Sequence, residues 1–180
     1  SNQGLNWYDT HKALISQGLR MPTIRQFVEF LKYLRDNPSQ ENTKIYNEVT
    51  EVRDPWRSEW LDADFKVKSS ELYINYGHEI KNGNLVPKYS EKLENCLMED
   101  KQPGISLDDW LNNPTKQGFP QTNIKDGQLW YWFPRSDNNS VAWFDADSGW
   151  AGLLCSRDPT VSNASLGVHA CTEGAGAAKI

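Results

Sequence analysis

The run Asp145-Ala146-Asp147-Ser148-Gly149 carries acidic residues at the alternate spacing of a calcium-binding loop. Such a loop needs a further oxygen ligand, then Gly, and ends on a bidentate Glu. Gly149, Trp150 and Ser156 hold those places, so the run reads as a turn between two strands. Asp62 and Asp64 have the paired carboxylates that acid–base catalysis uses. Their alternation with Leu61, Ala63 and Phe65 instead predicts the wet face of a strand or turn. His11, His78 and His169 are scattered and show neither HxxxH nor HExxH spacing, so no zinc site is built from neighbours in sequence. The three cysteines, Cys96, Cys155 and Cys171, lack CxxC spacing. A Cys155–Cys171 pair stays open, with buried free thiols the favoured reading. Cys171 with His169 at i,i+2 makes only a weak dyad, because no third residue orients it. Neither a nucleophile elbow nor a Gly-rich phosphate loop occurs. The expectation is a protein that is not an enzyme, with no catalytic residue, metal or cofactor.

The 180 residues suffice for one domain with a sizeable core, and 12% are aromatic, including eight Trp, which predicts a folded chain. A net charge of −5 gives no electrostatic footprint for nucleic acid, which needs a clustered basic face. Lys12, Arg20, Arg25, Lys32 and Arg35 interleave with apolar residues and read as solvated helix faces. No apolar run is long enough for membrane insertion and no signal-peptide pattern opens the chain. Cytoplasmic and surface-displayed locations both stay open.

The elements that must position these residues follow from periodicity. Asn6 caps a helix with Trp7, His11, Leu14 and Ile15 on one face, and Gly18 stops it. Thr23 and Gln26 form a capping box for a second helix striped by Ile24, Phe27, Leu31 and Leu34, which ends at Asn37-Pro38. Residues 38–44 read as a linker. Phe65–Val67, Leu72–Tyr76 and Leu85-Val86 alternate like a small meander, with Asn82-Gly83 as a hairpin turn. Ser106 opens a short helix through Trp110 and Leu111. The strand-like runs Leu129–Phe133, Val141–Asp145, Ala151–Cys155 and Leu166–Cys171 follow, then the small-residue tail Gly174–Ala178. Helices segregated from a late antiparallel sheet define an α+β class.

Two stretches carry a family resemblance. Trp7-Tyr8-Asp9-Thr10-His11-Lys12-Ala13 through Gly18-Leu19-Arg20-Met21-Pro22-Thr23 resembles the opening of C-type-lectin domains of the formylglycine-generating-enzyme type. Asn138–Phe144, Ala151, Leu153, Cys155, Asp158-Pro159, Ser162 and Ser165–Ala170 resemble the C-terminal repeat of archaeal-type diversity-generating-retroelement variable proteins. His169 stands where that family commonly has Arg. The resemblance implies one C-type-lectin-like domain over 1–180, with 38–118 as an insertion or supporting lobe and 128–173 as a variable ligand-binding region. In that family a reverse transcriptase rewrites adenine-templated codons at the 3′ end of the gene.

The frame residues would then be fixed. The variable, ligand-binding positions would be Trp143, Asp145, Gly149, Trp150, Gly152, Leu154, Ser156, Arg157, Thr160, Val161, Asn163 and Ala164. Ala151, Leu153 and Cys155 alternate with Gly152 and Leu154, which predicts one packed and one displayed face. Val141 and Phe144 share a face only if a bulge intervenes near Ala142–Trp143, or if Val141 sits at the strand start. The implied partner is a macromolecular ligand, a protein or cell-surface component, with Trp143 and Trp150 as anchors. The alternatives are an oxidase using Cys155, Cys171 and His169, and a fixed surface adhesin.

Overall fold

The computed structural model describes residues 4–172; the tail Gly174–Ala178 and residue 173 of the expected variable region lie outside them. The elements run α1 (Trp7–Ser16), β1 (Leu19–Arg20), α2 (Ile24–Asp36), α3 (Gln40–Thr50), β2 (Arg57–Lys68), β3 (Glu71–Lys81) and β4 (Asn84–Lys92). They continue with β5 (Lys101–Ile105), α4 (Leu107–Asn112), β6 (Leu129–Trp132), β7 (Ser140–Ala146), β8 (Ala151–Arg157), β9 (Leu166–Gly167) and β10 (Cys171–Thr172).

Local chemistry sets the boundaries. Asn6 accepts from the Asp9 amide at 2.9 Å, and Gly18 leaves α1 at φ +72°, where a side chain would be strained. Both halves of the Thr23–Gln26 capping box form, at 3.2 and 2.9 Å. Residues 38–44, expected as a linker, instead open α3: Ser39 accepts from the Asn42 amide at 3.0 Å and so caps a helix from Gln40. Asn82 and Gly83 both take positive φ, the conformation of a tight hairpin turn, between β3 and β4. Ser69 and Ser70 do the same between β2 and β3 without a glycine to announce it.

The architecture is mixed α+β, with four helices among the described residues and a large, mostly antiparallel sheet. Its strand order is β4-β3-β2-β7-β8-β6-β5, and β9 pairs with β2 off this path. The meander is therefore no side lobe. β2, from the segment 38–118 expected as an insertion, lies inside the sheet and pairs with β3, β7 and β9. Nor is the C-terminal sheet wholly antiparallel, because β6–β8 and β2–β9 run parallel. β4 and β5 form the edges, and each carries a proline, Pro87 and Pro103.

Packing occurs on both faces of the sheet. Ile24, Phe27, Leu31, Trp110, Phe144, Leu153 and Cys155 build one cluster, while Trp7, Leu14, Met21, Trp60, Val141, Trp143 and Leu154 build another. Successive residues of β8 feed the two clusters in turn. The β7–β8 register shifts between Val141 and Trp143, but the extra residue lies on β8, between Leu154 and Arg157. β7 itself alternates regularly, so Val141 and Phe144 join different clusters and do not share a face. A second shift, between Leu61 and Asp64, releases the Asp62 amide from the ladder to donate to the Pro22 carbonyl at 2.8 Å. No helix among the described residues is long and apolar enough to cross a membrane.

Because the capping box holds α2 beside that Pro22 contact, Thr23→Ala is expected to cost about 1 kcal/mol. A urea titration checks this through a lowered midpoint at unchanged slope.

Candidate functional site

The hairpin of β7 and β8 supports a pocket of about 320 Å³, lined by Trp56, Trp132, Trp143, Asp145, Asp147, Trp150, Leu154, Ser156 and Arg157. Alternation puts it there: on β6, Tyr131 points into the core while Trp130 and Trp132 face outward, half-buried. Trp150 stacks on Trp130 with centroids 5.1 Å apart and meets Trp132 edge-on at 5.2 Å. Trp143 lies between Trp60 at 5.1 Å and Trp56 at 6.2 Å, and the Arg157 guanidinium rests over its ring at 4.1 Å. Trp143 Nε1 and Arg157 Nε are buried without hydrogen-bond partners. Burial pushes the Asp145 carboxyl up to about 6; the hydrogen bond from Ser58 Oγ at 2.6 Å opposes this, Asp147 adds to it and Arg157 opposes it.

The candidate positions therefore divide. Trp143, Asp145, Trp150, Leu154, Ser156 and Arg157 converge on the pocket. Thr160, Val161, Asn163 and Ala164 instead lie in the loop after β8, where Pro159 accepts from the Trp7 amide and Asn163 from Leu166. Gly149 is exposed in the turn closed by the Asp147 amide on the Trp150 carbonyl at 2.8 Å, so the acidic run is a strand-joining turn. The expectation of one displayed face on β8 is corrected. Trp143 is 2% exposed and Leu154 4%, because the second core cluster covers that side. A Cβ on Gly152 would stand 2.5 Å from the Trp130 carbonyl oxygen, so this position admits no larger residue without backbone movement. Trp56, Trp132 and Asp147 belong to the pocket and were missed; the outward-facing alternation of Trp130 and Trp132 was the available signal.

A second constellation was also missed. Asp62 and Asp64, expected on a wet face, are 4% and 9% exposed. α1 covers them and brings in His11; β3 brings in His78. Asp62 Oδ1 lies 2.5 Å from His78 Nδ1 and 3.5 Å from His11 Nε2, while Asp62 Oδ2 accepts from the Gly77 and His78 amides at 2.8 and 3.2 Å. Gly77, at φ +68°, makes that paired donation possible, and a Cβ there would meet the Tyr89 ring at 2.9 Å. His78 Nε2 points to Asp64 Oδ1 at 3.3 Å. Burial works against a charged His78, but its bonds to Asp62 and Asp64 prevail and raise it to about 9. His11, also buried, drops to about 4 even though Asp62 pulls the other way. Burial acts upward on Asp62, yet the hydrogen bond from His78 and the charges of both histidines hold it below the usual carboxylate value. The alternation of Asp62 and Asp64 with apolar neighbours was real, but sequence could not show that both faces of β2 are covered.

Among the described residues Cys155, Cys171 and His169 make no contact with one another. Cys96, Cys155 and Cys171 are all free. Burial drives the Cys155 thiol well above its ordinary value and also raises Cys171, whose Sγ donates to the Arg20 carbonyl at 3.6 Å. His169 faces Glu59 at 3.2 Å.

The chain is 25% identical over 120 residues to an uncharacterized 36.3 kDa protein, encoded in the nrdC-mobD intergenic region of Enterobacteria phage T4. The match covers 64% of this chain and 37% of the phage protein, so the chain spans little over a third of that relative. No family model matches the sequence. No solved structure matches the fold.

Trp143→Ala is expected to lower stability by about 3–5 kcal/mol, as core Trp truncations do. Trp150→Ala, at the half-buried rim, should cost less than about 2 kcal/mol in the same denaturation assay. The raised carboxyl of Asp145 binds its proton more tightly folded than unfolded. Its stabilising contribution is complete below about pH 4 and is lost as pH rises to about 6. Asp145→Asn should therefore match the parent at pH 4 and exceed it by about 1–3 kcal/mol at pH 7, measured by urea unfolding at both values.

Proposed function

We propose that this domain is a ligand-binding module whose site is the tryptophan pocket on the β7–β8 hairpin. The observation that carries this is the convergence of the half-exposed rings of Trp56, Trp132 and Trp150 on Asp145, Ser156 and Arg157. Aromatic faces with a few polar groups among them are how binding sites combine contact area with orientation. At about 320 Å³ the pocket takes one ring-sized group, which a protein or cell-surface component would insert from a larger molecule.

The C-type-lectin-like character of the scaffold rests on the resemblance of the segments beginning at Trp7 and Asn138. Retroelement diversification fits the positions that have room, Gly149, Thr160, Asn163 and Ala164, all exposed. It does not fit Gly152, whose space the Trp130 backbone fills. Sequencing the 3′ end of the gene across its source population should show substitutions at those exposed positions and none at Gly152. A uniform 3′ end would remove diversification and leave a fixed-ligand adhesin.

The binding reading is tested on glycan and peptide arrays probed with the parent protein and with Trp132→Ala and Trp150→Ala. Both variants are expected to lose at least about tenfold in affinity at near-parent melting temperature, as central aromatic anchors do. Binding that survives both substitutions places the site elsewhere.

A further inference from the structure

The geometry points to a divalent transition-metal site, of the zinc or cobalt class, formed by His11 Nε2, Asp62 Oδ1 and His78 Nδ1. One ligand atom from each of the three residues lies within 4.8 Å of the others, and all three side chains are buried. They come from α1, β2 and β3, so the set exists only once the sheet has its helix cover.

Three features separate this set from an ordinary buried ion pair. First, His11 is 1% exposed, yet neither of its ring nitrogens has a hydrogen-bond partner. Burying an imidazole this way is costly, and a bound cation at Nε2 satisfies one of its two nitrogens. Second, on Asp62 and His78 the atoms not assigned to the metal are already held. Asp62 Oδ2 takes the Gly77 and His78 amides, and His78 Nε2 faces Asp64 Oδ1 at 3.3 Å. A carboxylate behind a ligating histidine is the usual way its ring is oriented toward a metal. Third, the spacing is close to what coordination needs. Bonds of about 2.0–2.1 Å in a tetrahedron set ligand atoms about 3.3 Å apart. His11 Nε2 and Asp62 Oδ1 stand at 3.5 Å. His78 Nδ1 and Asp62 Oδ1, hydrogen-bonded at 2.5 Å, must open by less than an ångström. The cation takes the place of the proton between them, which leaves to solvent.

An entry path exists. Asp62 and His78 also line a cavity of about 570 Å³ between α2 and the β3–β4 hairpin, whose walls include Tyr76, Lys88 and Tyr89. Two imidazoles and one carboxylate leave coordination positions for water or a ligand entering from that side. The site is on different residues from the tryptophan pocket, so each reading stands or falls alone.

The test uses the whole chain, stripped with a chelator and titrated with Co(II) and Zn(II). The expected result is uptake of one equivalent, a raised melting temperature, and an X-ray absorption spectrum of the Zn(II) form showing two imidazole ligands. His11→Gln and Asp62→Asn should weaken uptake at least about a hundredfold, since each removes a direct ligand. His169→Gln, away from the cluster, should bind as the parent does. Failure of the parent to take up either metal overturns the site, as does parent-like uptake by both ligand variants. If those variants do not fold, the parent spectrum decides: two imidazoles support the assignment and fewer overturn it.

Discussion

A single buried carboxylate ties the fold together. Asp62 sits where β2 breaks register, and its own amide reaches out to Pro22 before α2. Its side chain gathers the Gly77 and His78 amides from β3 and lies beside His11 from α1. An unpaired charge at that depth would be strongly destabilising, so the elements bearing its partners must arrive together. The network thereby fixes how the first helix lies on the sheet. Trp7 completes the arrangement. Its Nε1 donates to the Leu61 carbonyl at 2.9 Å, and its ring meets His11 and His78 edge-on at 4.3 and 4.9 Å.

Cover on both faces of β2, β7 and β8 governs what the surface can offer. Trp60, Trp143 and Leu154 are floor, not display, because they share a cluster with Trp7 and Leu14. The pocket is open only where Trp56, Trp132 and Trp150 come to the margin of that cluster. Substitutions in the floor and at the margin therefore have different consequences, although the residues are close in sequence.

The sequence made the caps readable and left the layering hidden. Asn6, Thr23 and Ser106 marked helix starts because capping is local hydrogen bonding, and Asn82-Gly83 marked a hairpin because positive φ favours those residues. The irregularity opposite Ala142 lies on β8, and the pattern of β7 alone held no record of it. Ser39 was masked by the polar run after it, and Ser69-Ser70 makes a glycine-type turn without glycine. The placement of β2 inside the sheet depends on contacts with β7 and β9, far along the chain, and periodicity carries no record of partners. Asp145, Trp150 and Arg157 were singled out through the family resemblance, Trp132 was marked only by its alternation with Tyr131, and nothing local singled out Trp56. His11 and His78 needed the three-dimensional fold before their spacing meant anything.

The two prolines on the outer strands have a consequence for how copies of this protein meet. β4 has Pro87 opposite His78 and contains Lys88 and Lys92, while β5 is five residues long and carries Pro103. A proline has no amide hydrogen to offer, and lysines repel a like strand, so both margins are poor templates for the addition of another. Pairing of crowded copies through these two backbone margins is thereby disfavoured.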